Sequence, residues 1–184
     1  SAYHAALHPF VFQDVDGRFR GLDKNIEQAK GFTNYTTFSL WDTYRALHPW
    51  FNLVQQEVNA DIANSMLAHY DKSVEKMLPI WSFYGNETWC MIGYHAVSVI
   101  ADAYMKGIRG FDAEKALEAM VVSSEKNKKG ADYYIQNGFI PSNIKKESIS
   151  CLLEFAYDDW CIARMAQEMG KDDIYQKYIQ RSQN

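Results

Sequence analysis

Apolar residues recur along most of this chain with the period of an α-helix. Val54, Val58, Ile62, Met66 and Tyr70 fall at four-residue steps, with Gln55, Glu57, Asn59, Asp61 and Asn64 between them, the pattern of an amphipathic surface helix. A second such helix is predicted to start at Asp112, a favourable N-cap. Its stripe is Ala113, Leu117, Met120 and Val121, opposed by Glu114, Lys115 and Glu118. Three further segments are predicted as buried helices, because a helix apolar on every side has no face for water. They are one from Tyr35, one from Thr88 to Ala101 that holds no Asp, Glu, Lys or Arg, and one from about Ser148 to Met169. Breaks fall at His48-Pro49, Pro79 to Asn86, Gly107 to Gly110 and Asn137 to Asn143, and six helices are the natural count.

Ahead of this helical region the segment to about Lys30 reads as irregular or as a short β-hairpin, since Asp16-Gly17 separates Phe10 to Phe12 from Phe19. Asp14-Val15-Asp16-Gly17 opens like a calcium loop, but the later ligands of an EF-hand are missing. The buried helices recur near Thr36, Asn86 and Ser150 and alternate with amphipathic ones, which predicts helical hairpins, inner then outer. Hairpins of this kind build either an open solenoid, such as a tetratricopeptide-like protein-binding scaffold, or an arc of an α/α toroid around a cavity. Carboxylates and aromatics at the ends of the inner helices favour the toroid: Trp41 and Asp42, Glu87 and Trp89, and Tyr157 to Trp160. The fold class is therefore all-α. Residues 1–30 form a lead-in and residues 31–184 an arc of such a toroid.

Composition narrows the function classes. A chain of 184 residues buries about 70% of the surface it would expose when unfolded. Its net charge of -4, with scattered Lys and Arg, gives no footprint for a phosphate backbone, so nucleic acid is not an expected partner. No apolar run reaches the length of about 18 residues that a membrane span needs, and SAYHAALHPF lacks the regions of a signal peptide. Cys90, Cys151 and Cys161 are an odd number without metal-type spacing, which predicts free thiols. An aromatic fraction of 15%, with five Trp and twelve Tyr, supplies flat faces with polar edges. These suit stacking on sugar rings as well as core packing.

The strings TTFSLWDTYRALHP, GNETWCMIGYHAVSVIADAY and EFAYDDWCIARMA resemble consecutive landmarks of the calcium-dependent α-mannosidases of glycoside hydrolase family 92. The resemblance runs from about Gly31 to Gly170. It implies a catalytic (α/α)6 toroid preceded by a β-sandwich, with residues 31–184 making about half of that toroid, and exo-acting cleavage of α-mannosidic bonds of mannose-rich glycans with inversion. It also implies bound calcium and an exported parent enzyme. The family's general acid, general base and calcium ligands belong to later motifs, which have no counterpart after Gly170. On this reading the chain is an inactive piece of a longer enzyme. Its partners are mannose-containing glycans and the remainder of its parent protein, and an uncovered inner face would promote self-association. A different α/α toroid sugar enzyme, an epimerase or lyase, is the nearest enzymatic alternative.

Eight residues are candidates for substrate binding. Asp42 and Arg45, at i, i+3, could form a structural ion pair or a carboxylate oriented for sugar hydroxyls, with Trp41 packing against the ring. Glu87 could be a charge at a helix N-terminus capped by Asn86, or part of a pocket with Trp89 and Cys90. Glu87, Met91 and His95 would share one helix face, and His95 is read as a hydrogen-bonded core histidine. Asp158 and Asp159 point about 100° apart on a helix, so at most one could line a cavity. Glu154 and Asp158, at i, i+4, share a face, and Asp158 is assigned to positioning or support.

Overall fold

The computed structural model describes residues 2–184, in which nine helices and seven short strands follow one another. The lead-in holds a helical turn, α1 (Ala2–Ala5), and three strands, β1 (Phe10–Val11), β2 (Arg18–Arg20) and β3 (Ile26–Gln28). Asp16-Gly17 does make a turn, with the Gly17 N–H donating to the Asp14 carbonyl at 2.9 Å. The hairpin lies one step further on, however: β2 pairs with β3 across Gly21 to Asn25. β1 pairs instead with β4 (Tyr35–Thr36), which stitches the lead-in to the rest of the chain.

The helix predicted from Tyr35 is replaced by strands. Tyr35 to Phe38 is a run of aromatic and β-branched residues, which fit a pleated surface better than a helix. Thr37, at φ 65°, kinks the chain between β4 and β5 (Phe38–Ser39). One helical turn, α2 (Leu40–Thr43), then leads to α3 (Leu47–Val54) and α4 (Gln56–Lys72). His48-Pro49 is no break, because Pro49 sits in the first turn of α3, where its missing N–H leaves no bond unmade. The break falls at Gln55, φ -142°, so Val54 belongs to α3 and is exposed, while Ile62, Met66 and Tyr70 of α4 are buried as predicted.

After α4 come β6 (Trp81–Phe83) and β7 (Asn86–Glu87), and the helix predicted from Thr88 begins only at α5 (Ala96–Met105). Trp89 at φ 57° and Gly93 at φ 74° cannot continue a right-handed helix. A Cβ at Gly93 would lie 2.5 Å from Nε2 of His95, so only glycine lets that imidazole lie against the backbone. Asp112 caps α6 (Ala113–Ser124) as predicted, accepting the Lys115 N–H at 3.0 Å. α7 (Ala131–Asn137), α8 (Ser148–Glu168) and α9 (Asp172–Arg181) complete the chain.

α3, α5 and α8 pack in succession as one layer, with α4 and α6 behind them and α9 against α8. The hairpin order read from the sequence is thus present, though the chain is not purely helical. α8 is not apolar and buried on all sides. Ile149, Leu153, Tyr157 and Trp160 form an exposed stripe along it, 72%, 63%, 38% and 46% accessible, opposite Cys151, Phe155, Ile162 and Met165 in the core.

One buried ion pair ties α9 to this body. Asp159 on α8 accepts two bonds from Arg181 of α9, at 2.5 Å and 2.7 Å, and one each from the hydroxyls of Tyr94 and Tyr134. Burial opposes the charged guanidinium, but Asp159 more than offsets it and raises the pKa of Arg181. Removing one member of a buried pair strands the other charge and costs about 3–5 kcal/mol. Arg181→Met is therefore expected to lower the unfolding free energy by about that amount, read from urea denaturation. Arg181→Lys should recover less than half, since an ammonium cannot match the two-pronged contact. A loss within the range of ordinary surface substitutions, about 0.5 kcal/mol, would contradict this account.

Candidate functional site

The three-stranded sheet β5-β6-β7 brings two distant segments together. β5 pairs antiparallel with β6 through Phe38–Ser82 and Ser39–Trp81, and β6 pairs antiparallel with β7 through Ser82–Glu87 and Phe83–Asn86. β5 and β7 therefore run in the same direction and leave the sheet at the same end. From that end emerge Leu40-Trp41-Asp42 and Thr88-Trp89-Cys90, the cores of two of the strings singled out in the sequence.

The second of these segments is held from both sides. The Glu87 carboxylate accepts the backbone N–H groups of Ile80, Trp81 and Trp89 at 2.9 to 3.0 Å. Its neighbour His69, 3.6 Å away, is kept neutral by burial, which lowers its pKa to about 3, so the two do not form an ion pair. On the other side the Lys129 ammonium donates to the carbonyls of Trp89, Cys90 and Met91. Burial lowers the Lys129 pKa. Trp89 is thereby fixed in its left-handed conformation, with its ring packed on the core and the Lys128 ammonium 4.5 Å from the ring centroid. Glu87 is thus neither a helix-terminal charge nor on a face shared with His95, because the segment is a strand and a loop.

The first segment is held by Glu154 of α8, whose side chain is 16% exposed. Its Oε1 accepts the Trp41 indole N–H at 3.0 Å and lies 3.3 Å from an Arg45 guanidinium nitrogen. Its Oε2 accepts the Tyr44 hydroxyl at 3.4 Å and meets Nε2 of His95 at 3.1 Å. That last contact is bent away from a linear hydrogen bond and acts as an ion pair. Nδ1 of His95 contacts Asp158 at 2.9 Å, and its ring stacks on Tyr44 at 4.2 Å. Burial favours neutral His95, but the Asp158 and Glu154 carboxylates prevail and raise its pKa to about 9. The same contact, against burial, holds Glu154 below the usual carboxylate range. Burial pushes Asp158 up, opposed by His95 and the Tyr94 N–H.

Of the eight candidates, Trp41, Asp42, Arg45, Trp89 and Cys90 lie at or partly at the surface, on the two segments that leave the sheet together. Asp42 is exposed and accepts a short hydrogen bond from Ser39 Oγ, whereas Arg45 turns to Glu154, so the predicted Asp42–Arg45 pair is not formed. The Arg45 guanidinium covers the rings of Trp41 and Tyr44 at 4.7 Å from each centroid. Glu87, Asp158 and Asp159 are enclosed, with their oxygens taken by internal donors. Their partners include the Trp89 N–H, the His95 ring and the Arg181 guanidinium, respectively. Cys90 is exposed, while Cys151 and Cys161 are the buried free thiols. A cleft of about 440 Å³ extends from Tyr44 and Arg45 between α3, α5 and α8, past Asp102, Tyr157 and Trp160. Lys129 carried no signal in the sequence. Glu154 was visible only as an i, i+4 neighbour of Asp158, since its partners Arg45 and Trp41 are 109 and 113 residues away.

The family model of the Glycosyl hydrolase family 92 catalytic domain matches residues 1–184. The chain is similar to a family 92 α-mannosidase of Bacteroides thetaiotaomicron, with 69% identity and a TM-score of 0.96 over 98% of this chain and 25% of that one. That mannosidase has also been solved with mannoimidazole bound. A family 92 inverting mannosidase of the same organism is 35% identical, with a TM-score of 0.88 over 98% of this chain and 26% of its own. An uncharacterized secreted glycosidase of Arthroderma benhamiae is 33% identical over 109 residues, 50% of this chain and 14% of that protein. The chain thus spans about a quarter of the solved structures it matches.

The His95 cluster makes stability depend on pH with a definite sign. A histidine whose pKa rises from 6.5 to about 9 on folding contributes on the order of 3 kcal/mol. That contribution is complete below pH 6.5 and is lost as pH rises through about 9. The difference in melting temperature between the wild-type protein and His95→Gln should therefore shrink between pH 7 and 10. A difference that stays constant over that range would show that His95 is not charged in the fold.

Proposed function

The chain belongs to glycosyl hydrolase family 92, and on that premise we propose that it supplies substrate-binding residues to an exo-acting, inverting α-mannosidase of mannose-rich glycans. The observation that carries the reading is the shared exit of Trp41-Asp42 and Trp89-Cys90 from one end of the β5-β6-β7 sheet. It gathers an exposed carboxylate, an indole and a rigid loop beside a cleft. A carboxylate such as Asp42 can accept hydrogen bonds from two adjacent sugar hydroxyls, and the Trp41 ring can cover a face of C–H groups. Arg45 adds donors at the same edge. The identity to mannosidases, one of them solved with mannoimidazole, supports mannose as the sugar.

Inverting hydrolysis needs one carboxylic acid at the leaving oxygen and one carboxylate activating water, about 6.5–9.5 Å apart. Glu87, Asp158 and Asp159 are spent on internal donors, and Glu154 is held ionised by His95, which unsuits it to give up a proton. The acid and base are accordingly assigned to parts of the domain outside this chain. Calcium, which the family resemblance implies, finds no fit in this chain: among the described residues no three His, Cys, Asp or Glu side chains gather as a ligand set. The roles of Trp41, Asp42 and Arg45 do not depend on the metal.

The layer α3, α5 and α8 with α4, α6 and α9 behind it is read as three hairpins of an (α/α)6 toroid. The open stripe of α8, Ile149 to Trp160, then faces the hairpins that continue the ring and favours self-association of residues 1–184 in isolation. Export of the parent enzyme is supported by the secreted relative. Among the described residues no helix is long and apolar enough to cross a membrane.

The test is release of mannose from α-1,2-linked mannobiose, with the parent protein beside residues 1–184 and a chelator control. The parent protein is expected to release mannose and residues 1–184 are not. In the parent, Asp42→Asn removes a charged acceptor worth about 1.5–3 kcal/mol and should lower kcat/KM about 10- to 150-fold. Release by residues 1–184 alone would place the acid and base within this chain. Silence from both would overturn α-1,2-linked mannose as the substrate, not membership of the family.

A further inference from the structure

Glu154 stands at the junction of three elements. Trp41, Tyr44 and Arg45 reach it from the segment after β5, His95 from the start of α5, and it projects from α8 itself. A carboxylate has about four acceptor positions; Trp41, Tyr44 and Arg45 take three of them and the charged His95 ring lies 3.1 Å from Oε2, so Glu154 has little left to offer a ligand. His95 is almost wholly enclosed, with Asp158 on its other nitrogen and Tyr44 against its face. Asp158 is in turn fixed by the Tyr94 N–H at 2.7 Å. The Tyr157 ring lies 6.4 Å from the imidazole, centroid to centroid, with its hydroxyl bonded to Ser98, and the Gly93 backbone closes against the imidazole edge. The rigidity of the two helices is thus handed through Asp158 and His95 to one carboxylate, and from it to the indole of Trp41.

We propose that Glu154 is a positioning residue of the sugar site, fixing the Trp41 indole and the Arg45 guanidinium so that Trp41 and Asp42 meet the mannose ring in one orientation. The inference rests on the reading of Trp41 and Asp42 as sugar-binding residues. Trp41 is only partly buried, and its ring nitrogen has Glu154 as its anchor. Freed from that anchor, the indole and the covering Arg45 would sample several rotamers, and ordering them again would fall on the binding step. Outer partners that orient ligand-contacting groups are commonly worth 10- to 100-fold in affinity or activity.

The measurement is steady-state kinetics of the parent enzyme on α-1,2-mannobiose, comparing Glu154→Ala, Glu154→Gln, Trp41→Ala and Asp42→Asn. A brace that only supports the fold would lower the amount of active enzyme, and with it the apparent kcat, while leaving KM where it was. The proposal expects Glu154→Ala to raise KM about tenfold or more with kcat within about threefold. Glu154→Gln, which keeps an acceptor oxygen for the indole, should show a smaller rise. If Trp41→Ala and Asp42→Asn raise KM but Glu154→Ala does not, the positioning role is overturned and the sugar-binding reading stands. If Trp41→Ala and Asp42→Asn leave both KM and kcat unchanged, the sugar-binding reading itself fails and the proposal with it. Should Glu154→Ala not fold, Glu154→Gln decides: an unchanged KM overturns the proposal and a rise of several-fold supports it.

Discussion

Three carboxylates on one helix face low-dielectric surroundings, and the chain is arranged around satisfying them. Taking an ion out of water costs several kcal/mol unless partners replace the lost hydration. Asp158 and Asp159 are both fully enclosed on α8, and Glu154, one turn earlier, nearly so. Adjacent positions on a helix diverge by about 100°, so the two aspartates take different cations, although Tyr94 reaches both, its N–H to Asp158 and its hydroxyl to Asp159. Asp159 looks toward α9 and recruits Arg181, while Asp158 looks toward α5 and recruits His95. The first pairing closes the C-terminal end of the chain onto the body. The second passes through the imidazole to Glu154 and reaches the exposed segment around Trp41.

A second constraint is backbone geometry. The chain between β7 and α5 is neither strand nor helix, and it passes through left-handed conformations at Trp89 and Gly93. Such a path carries backbone groups that no ladder satisfies, and they must be paired individually. Glu87 takes the N–H groups and Lys129 the carbonyls, so an anion and a cation flank the same few peptides. A bulky residue held at positive φ costs on the order of 1–3 kcal/mol and persists only where its surroundings over-determine it. Trp89 satisfies that condition, which gives the loop a fixed shape at the end of the sheet from which Asp42 also emerges.

How much of this was legible in the sequence depends on the range over which each feature is decided. Asp112 capping α6 and the stripe Ile62, Met66, Tyr70 are local, set by residues within one or two turns, and both are found as predicted. The strands Tyr35–Thr36 and Trp81–Phe83 were hidden, because short apolar runs fit a buried helix and a strand equally well and their partners lie far along the chain. Pro49 misled for a simpler reason: proline breaks a helix interior but suits its first turn. At the site, the residue types around Trp41, Glu87 and Asp158 stood out in the sequence, yet their roles did not. Asp158 is claimed by a backbone N–H 64 residues away, that of Tyr94, and Glu87 by N–H groups brought to it by a turn of strand that the sequence did not announce.

The distribution of carboxylates also argues for a division of labour within the family 92 domain to which the chain belongs. A general acid must change protonation state during turnover, and so cannot also be the counter-ion on which a fold depends. Glu154, Asp158 and Asp159 each neutralise a buried cation or anchor a backbone group, and protonating any of them would strand His95 or Arg181. Asp42 differs, since it is exposed and its loss would leave no buried charge behind. Apart from the Ser39 hydroxyl its oxygens have no internal donor among the described residues, so its remaining acceptor positions are open to solvent. The enclosed acidic residues of this part of the domain are thus committed to rigidity, and the exposed Asp42 carries no such structural duty.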